Sequence, residues 1–135
     1  MRIERQSECL ISATGISSGY GDRAVLENVD IQLQSGELLG IVGPNGCGKS
    51  TLLRTLTGRL PAWSGSIEVM GKALSDYSRM QFARKVAVVP QSDPPPFDFT
   101  ANELVIQGRR PHWRFLSGPS AMDRELAFNA MQTAN

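Results

Sequence analysis

Apolar residues fall along this chain in several rhythms, and each rhythm predicts an element. Leu10–Ala13 and Val29–Leu33 read as short strands. In the second, Val29, Ile31 and Leu33 alternate with polar residues, which gives one buried and one wet face. Ser35–Glu37 (SGE) is a turn. Leu38–Val42 (LLGIV) is apolar throughout, the pattern of a strand buried on both faces. A helix is predicted from about Lys49, with Leu52, Leu53 and Leu56 on one side and a stop at Gly58. Ile67 and Val69 point the same way in a further strand, GSIEVMG. Ser75 caps a short helix, and Val86–Val89 is another apolar strand that Pro90 ends. Thr100 and Glu103 make a capping box for a helix to about Gln107, ended by Gly108. Ser120 caps a last helix with Met122, Leu126 and Ala130 at helical spacing.

Antiparallel strands therefore come first, a parallel strand, loop and helix next, and helices after Gln91. That order predicts a mixed α/β domain with a helical annex. With 135 residues the chain has room for one domain with a real core. Residues 1–91 are read as the core and 92–135 as the start of the helical part. The only low-complexity stretch is Asp93–Pro96 (DPPP). A net charge of +1 provides no strong field for nucleic acid. Arg109, Arg110 and Arg114 are the one dense basic cluster and read as a solvated loop. Two cysteines, Cys9 and Cys47, are too few for a disulfide framework or a zinc site. They suit a reducing compartment. No apolar run approaches the roughly 18 residues of a membrane span, and the N-terminal stretch lacks the apolar core of a signal peptide.

The candidate chemistry lies in Gly43–Thr51, GPNGCGKST, which satisfies G-x-x-x-x-G-K-[ST] between a strand and a helix. Gly43, Gly46 and Gly48 let the backbone turn tightly and aim its amides inward. The following helix points its positive end at the same place. Lys49 supplies a mobile ammonium for the outer phosphates. Ser50 offers a hydroxyl to magnesium, and Thr51 caps the helix or bonds another phosphate oxygen. Cys47 reads as a small filler residue, although a thiol at a helix N-terminus is placed to react.

Three longer stretches make the chain resemble the ATP-binding subunit of ABC transporters over roughly residues 8 to 131. They are Ser17–Leu60, Pro61–Leu74 (PAWSGSIEVMGKAL) and Val86–Gln91 (VAVVPQ). The resemblance implies a P-loop NTPase core with an N-terminal antiparallel β subdomain and the start of an α-helical subdomain. It implies that Tyr20 stacks on adenine, as aromatic side chains do on any base. Gln91 matches the Q-loop glutamine, which in the family reaches the magnesium and the attacking water and senses the transmembrane partner. The implied catalytic residues are Lys49 and Gln91, and the implied magnesium ligands are Ser50 and Gln91. The implied ATP-binding set is Tyr20, Gly43, Asn45, Gly46, Cys47, Gly48, Lys49, Ser50 and Thr51. The segment FDFTANELVIQGRRPHWRF is similar to importers of iron–siderophore, haem and cobalamin type, in which a GRxPH string follows the Q-loop helix; here it is Gly108–His112. His112 is not the family's switch histidine.

Such a subunit would lie in the cytoplasm against the inner face of the membrane. Its partners would be permease subunits, a second copy of itself and, indirectly, an extracytoplasmic substrate-binding protein, with no nucleic acid. Within these residues the family's LSGGQ-like signature, Walker B carboxylates and switch histidine do not occur. Leu116–Ser120 (LSGPS) shares only three letters with the signature, and Asp123 and Glu125 fall in a helix rather than at a strand end. The chain therefore reads as a truncated domain, inactive or nearly so in hydrolysis by itself. A non-transport ABC ATPase and a binding-only remnant stay open as alternatives. A GTPase is disfavoured by the lack of an N-K-x-D string, and a small-molecule kinase by the lack of an acceptor site. If the loop holds nucleotide, bound ATP should slow maleimide labelling of Cys47; equal labelling rates with and without ATP would place the thiol elsewhere.

Overall fold

The computed structural model describes residues 8–91, 98–114 and 117–134. The proline-rich stretch 93–96 and residue 116 of the LSGPS string lie outside them. The described chain forms two compact units, divided between Tyr77 and Ser78.

The first unit is built on an antiparallel sheet of order β2-β1-β3-β4. Its strands are β1 (Cys9–Tyr20), β2 (Arg23–Gln34), β3 (Ser64–Val69) and the short β4 (Lys72–Ala73). The first two strands are much longer than their alternation predicts, because bulges interrupt it. Register shifts occur between Ala13 and Ile16 and between Ile16 and Ser18. Gly15 takes a left-handed φ of 61°, and its amide donates to the Asp30 carboxylate at 2.6 Å. Each bulge resets which residues face inward, so a period-2 reading loses the strand although the ladder continues. Ile67 and Val69 are both buried, as their alternation predicts.

One helix, α1 (Lys49–Leu56), packs on this sheet. Leu52 and Leu56 join Ala13, Ile16, Leu26 and Ile67 in the core. Burying side chains of this size contributes about 1.5–3 kcal/mol each. Leu53 departs from the expected face and is half exposed. Polar groups fix the seat as well. The Thr55 hydroxyl donates to Ser18 Oγ at 3.1 Å and lies 2.9 Å from the Thr51 carbonyl. Ser18 Oγ in turn donates to the Pro61 carbonyl at 2.9 Å. Both hydroxyls are fully buried, and a buried hydroxyl left unpartnered would be costly, so the chain of bonds selects one placement of the helix.

Two expected strands are absent. Leu38–Val42 pairs with nothing among the described residues, and Leu38 and Val42 are 98% and 93% exposed. Val86–Val89 is likewise unpaired, with Val89 93% exposed. An apolar run becomes a strand only when neighbouring backbones accept and donate its ladder hydrogen bonds. All ladders among the described residues are antiparallel and involve β1 to β4 alone. Beside Leu38 and Leu39 the first unit has an apolar hollow of about 260 Å³, also lined by Ile11, Ile31, Ile41 and Leu56.

The second unit contains α2 (Arg79–Ala83), α3 (Ala101–Gln107) and α4 (Ala121–Thr133). Ser78, not Ser75, caps α2, because Gln81 sits three positions later and completes a capping box; Ser75 lies in a separate 3-10 turn, Leu74–Asp76, of the first unit. Thr100 and Glu103 cap α3 as expected. Ser120 caps α4 with Asp123, but the expected inner face is exposed at Met122 and Leu126, while Asp123 and Ala127 are buried. Arg109 decides this rotation. Its Nε lies 3.0 Å from Asp123 Oδ1 in an ion pair, so Arg109 is not the solvated residue its neighbours suggest.

The Ser120 hydroxyl and amide, and then Arg109, hold the Asp123 carboxyl below the usual carboxylate range. A depressed carboxylate stabilises the fold at pH above its unfolded value and loses that contribution as pH falls through the folded one. Helical ellipticity at 222 nm should therefore drop on acidification. Arg109→Gln should move the midpoint to higher pH, and Asp123→Asn should remove this part of the transition.

Candidate nucleotide phosphate site

Residues 43–48 form an irregular loop that ends at the N-terminus of α1. Gly48 is the N-cap with φ 101° and ψ 3°, and no side chain caps the helix. The first intrahelical bond runs from the Leu52 amide to the Gly48 carbonyl at 2.8 Å. The amides of the first turn consequently have no partner within the helix, and they sit at its positive end. A helix start left open in this way suits an anion. Glycine at position 48 is favoured on two grounds. Its φ is left-handed, and an added Cβ would lie 3.1 Å from Leu26 Cδ2 and 3.2 Å from Val25 Cγ1. The loop thus lies directly on β2 at this point.

Lys49 is folded back onto the loop. Its Nζ donates to the Gly43 carbonyl at 2.8 Å and the Pro44 carbonyl at 2.7 Å, and stands 3.8 Å from Cys47 Sγ. The ammonium therefore closes the loop that a phosphate would occupy, and its long stem allows it to turn outward. Cys47 and Asn45 are exposed on the loop, and Gly46 has a left-handed φ of 84°. Ser50 presents an exposed hydroxyl. One protein hydroxyl fits magnesium, which keeps most of its octahedral shell from phosphate oxygens and water. No group of three or more metal-ligating His, Cys, Asp or Glu residues occurs among the described residues.

Tyr20 ends β1 and is 45% exposed. Its hydroxyl accepts a hydrogen bond from Arg54 Nη1 at 2.9 Å. The Thr51 hydroxyl, first, and Arg54, second, lower the phenol below its ordinary pKa. Thr51 itself is buried. The structure thus brings Tyr20, Gly43, Asn45, Gly46, Cys47, Gly48, Lys49, Ser50 and Thr51 into one unit. Gln91 belongs to the second unit, where it is exposed in a bend. Arg54 escaped the sequence reading. The available signal was its position three residues after Thr51, on the same helix face.

A sheet-backed glycine loop, opening a helix with a lysine at its first position, defines a phosphate-loop nucleotide-binding module. Within that class the chain belongs to the ABC transporter family, whose sequence profile matches residues 26–134. A hemin import ATP-binding protein of Gloeobacter violaceus is 42% identical over 125 residues, covering 93% of this chain and 45% of that protein. The ferric enterobactin transport ATP-binding protein of Escherichia coli is 37% identical over 117 residues, covering 87% of this chain and 43% of that protein. A solved structure ascribed to a metal-chelate-type ABC transporter in an inward-facing conformation superposes with a TM-score of 0.75. It is 28% identical over 93% of this chain and 44% of its own. The chain therefore spans less than half the length of these relatives. No helix among the described residues is long and apolar enough to cross a membrane.

Substituting Gly48→Ala should cost about 1–3 kcal/mol, the penalty of a left-handed non-glycine residue, read as a lower urea midpoint. An unchanged midpoint would mean that the loop does not turn at Gly48 as described.

Proposed function

We propose that this chain is the nucleotide-binding part of the ATP-binding subunit of an ABC importer for an iron–siderophore, haem or cobalamin-type substrate. The observation that carries the ATP reading is the open N-terminus of α1 behind a glycine loop, with Lys49 at its first position. In this reading the loop amides of Gly46, Cys47 and Gly48, with those of Lys49, Ser50 and Thr51, bind the phosphate oxygens. Lys49 leaves the loop carbonyls for the outer phosphates and there spreads the negative charge that develops in phosphoryl transfer. Ser50 and Gln91 would hold magnesium, which supplies charge neutralisation when bound. Gln91 also orients the attacking water, and Tyr20 stacks on adenine.

The substrate class rests on relatives whose names specify hemin import and ferric enterobactin transport. Their kind also supports the proposed partners: membrane permease subunits, a second ATPase copy and an extracytoplasmic substrate-binding protein. The subunit would sit at the inner face of the membrane. By itself the chain holds the cradle, the lysine and part of the metal shell. It lacks a carboxylate to polarise water, so binding without appreciable turnover is expected.

Calorimetry tests this directly. Magnesium ATP should give a saturable heat that Lys49→Ala abolishes or weakens at least roughly tenfold, the scale of losing one charged contact. No heat with the folded chain, or no effect of the substitution, would sink the phosphate-site reading. Clear magnesium-dependent hydrolysis by this chain, lost in Lys49→Ala, would overturn the proposal of inactivity.

A further inference from the structure

We propose that Arg54 is a positioning residue whose clamp on the Tyr20 hydroxyl holds the exposed side chain as a preformed platform for the nucleotide base. The inference rests on the reading of Tyr20 as the adenine-stacking residue.

Tyr20 stands where a strand has run out of neighbours. It is the last residue of β1, opposite Arg23, and a turn at Gly21–Asp22 follows. A half-exposed ring in such a place is free to change rotamer, and a base that stacks on it must immobilise it. The hydroxyl removes that freedom here. Arg54 Nη1 donates to it at 2.9 Å. Arg54 lies in the last turn of α1, so the clamp ties the side chain to a rigid element. The element is itself anchored. The Arg54 carbonyl accepts the amides of Arg59 at 2.8 Å and Leu60 at 3.1 Å. The neighbouring Thr55 is bonded to Ser18, two residues before Tyr20 in β1. Tyr20 stays 45% exposed while its hydroxyl is tied.

The clamp also gives the hydroxyl of Tyr20 a purpose that stacking does not supply. A phenylalanine would offer the same π-face but nothing for Arg54 to hold. Because α1 begins at Lys49, the tie connects the base platform to the same helix that opens the phosphate loop. The spacing between base and phosphate contacts is thereby set before nucleotide arrives.

The test uses the 135-residue chain with ATP and inorganic tripolyphosphate as separate probes. Arg54→Gln and Tyr20→Phe remove the same bond from opposite ends, so each stands in for the other. Each should weaken ATP roughly three- to tenfold and leave tripolyphosphate within roughly twofold. The double variant should be no weaker than the weaker-binding single, since one interaction is lost only once. A readout without nucleotide accompanies this. In a Tyr77→Phe background, absorbance at alkaline pH follows the Tyr20 phenol alone, and Arg54→Gln should shift its ionisation to higher pH. An unmoved titration, additive losses, or an equal loss for tripolyphosphate would overturn the clamp. An unchanged ratio of ATP to tripolyphosphate affinity in Tyr20→Ala would instead remove the stacking reading, and the clamp's purpose with it. The phenol titration would still report whether the tie exists.

Discussion

The seat of α1 on the antiparallel sheet is the constraint on which the rest of the first unit depends. Leu52 and Leu56 bury their side chains against Ala13, Ile16, Leu26 and Ile67. Apolar burial alone would tolerate a small rotation or slide of the helix, because it has no direction. The fully buried pair of Thr55 and Ser18 does not, since a shift would leave two hydroxyls without partners. Gly48 adds a limit at the other end, where its left-handed backbone lies close against Val25 and Leu26 and a Cβ would press on both side chains. Lys49, Ser50 and Thr51 inherit their positions from this seat, and Tyr20 inherits its own from the strand that carries Ser18.

The loop is consequently held asymmetrically. Its C-terminal side runs into a helix fixed by core packing and buried hydrogen bonds. Its N-terminal side continues from Leu38–Val42, which has no ladder among the described residues and exposes Leu38 and Val42 almost completely. Each such side chain forgoes about 1.5–3 kcal/mol of burial. A contiguous apolar surface of this kind also favours association in solution. The loop is thus seated firmly on α1 and β2, while no parallel ladder occurs among the described residues.

In the second unit, polar chemistry at helix starts does most of the ordering. Among the described residues, α2, α3 and α4 each begin with a reciprocal capping box, at Ser78, Thr100 and Ser120. In α4 the capping carboxylate of Asp123 has a second role, since it also pairs with Arg109. That double use turns Asp123 and Ala127 inward and leaves Met122 and Leu126 in water. A hydrophobic count along the helix weighs the leucine and methionine and misses the ion pair, because the partner lies in a different segment.

The amino-acid order determined by itself whatever depends on neighbours within a few residues. The glycine loop, the start of α1 at Lys49, the caps at Thr100 and Ser120 and the inward pair Ile67 and Val69 are set by local dihedral freedom, short hydrogen bonds and alternation. The family likeness carried by Gly43–Thr51 and its flanks was legible for the same reason. Tertiary structure alone decided what depends on partners distant in sequence. It set the full lengths of β1 and β2, whose bulges conceal the alternation, and it left Leu38–Val42 and Val86–Val89 unpaired for want of neighbouring strands. It brought Arg54 to Tyr20 across 34 positions of chain and Thr55 to Ser18 across 37. Periodicity records which face a residue prefers; only the folded chain supplies the atom waiting on that face.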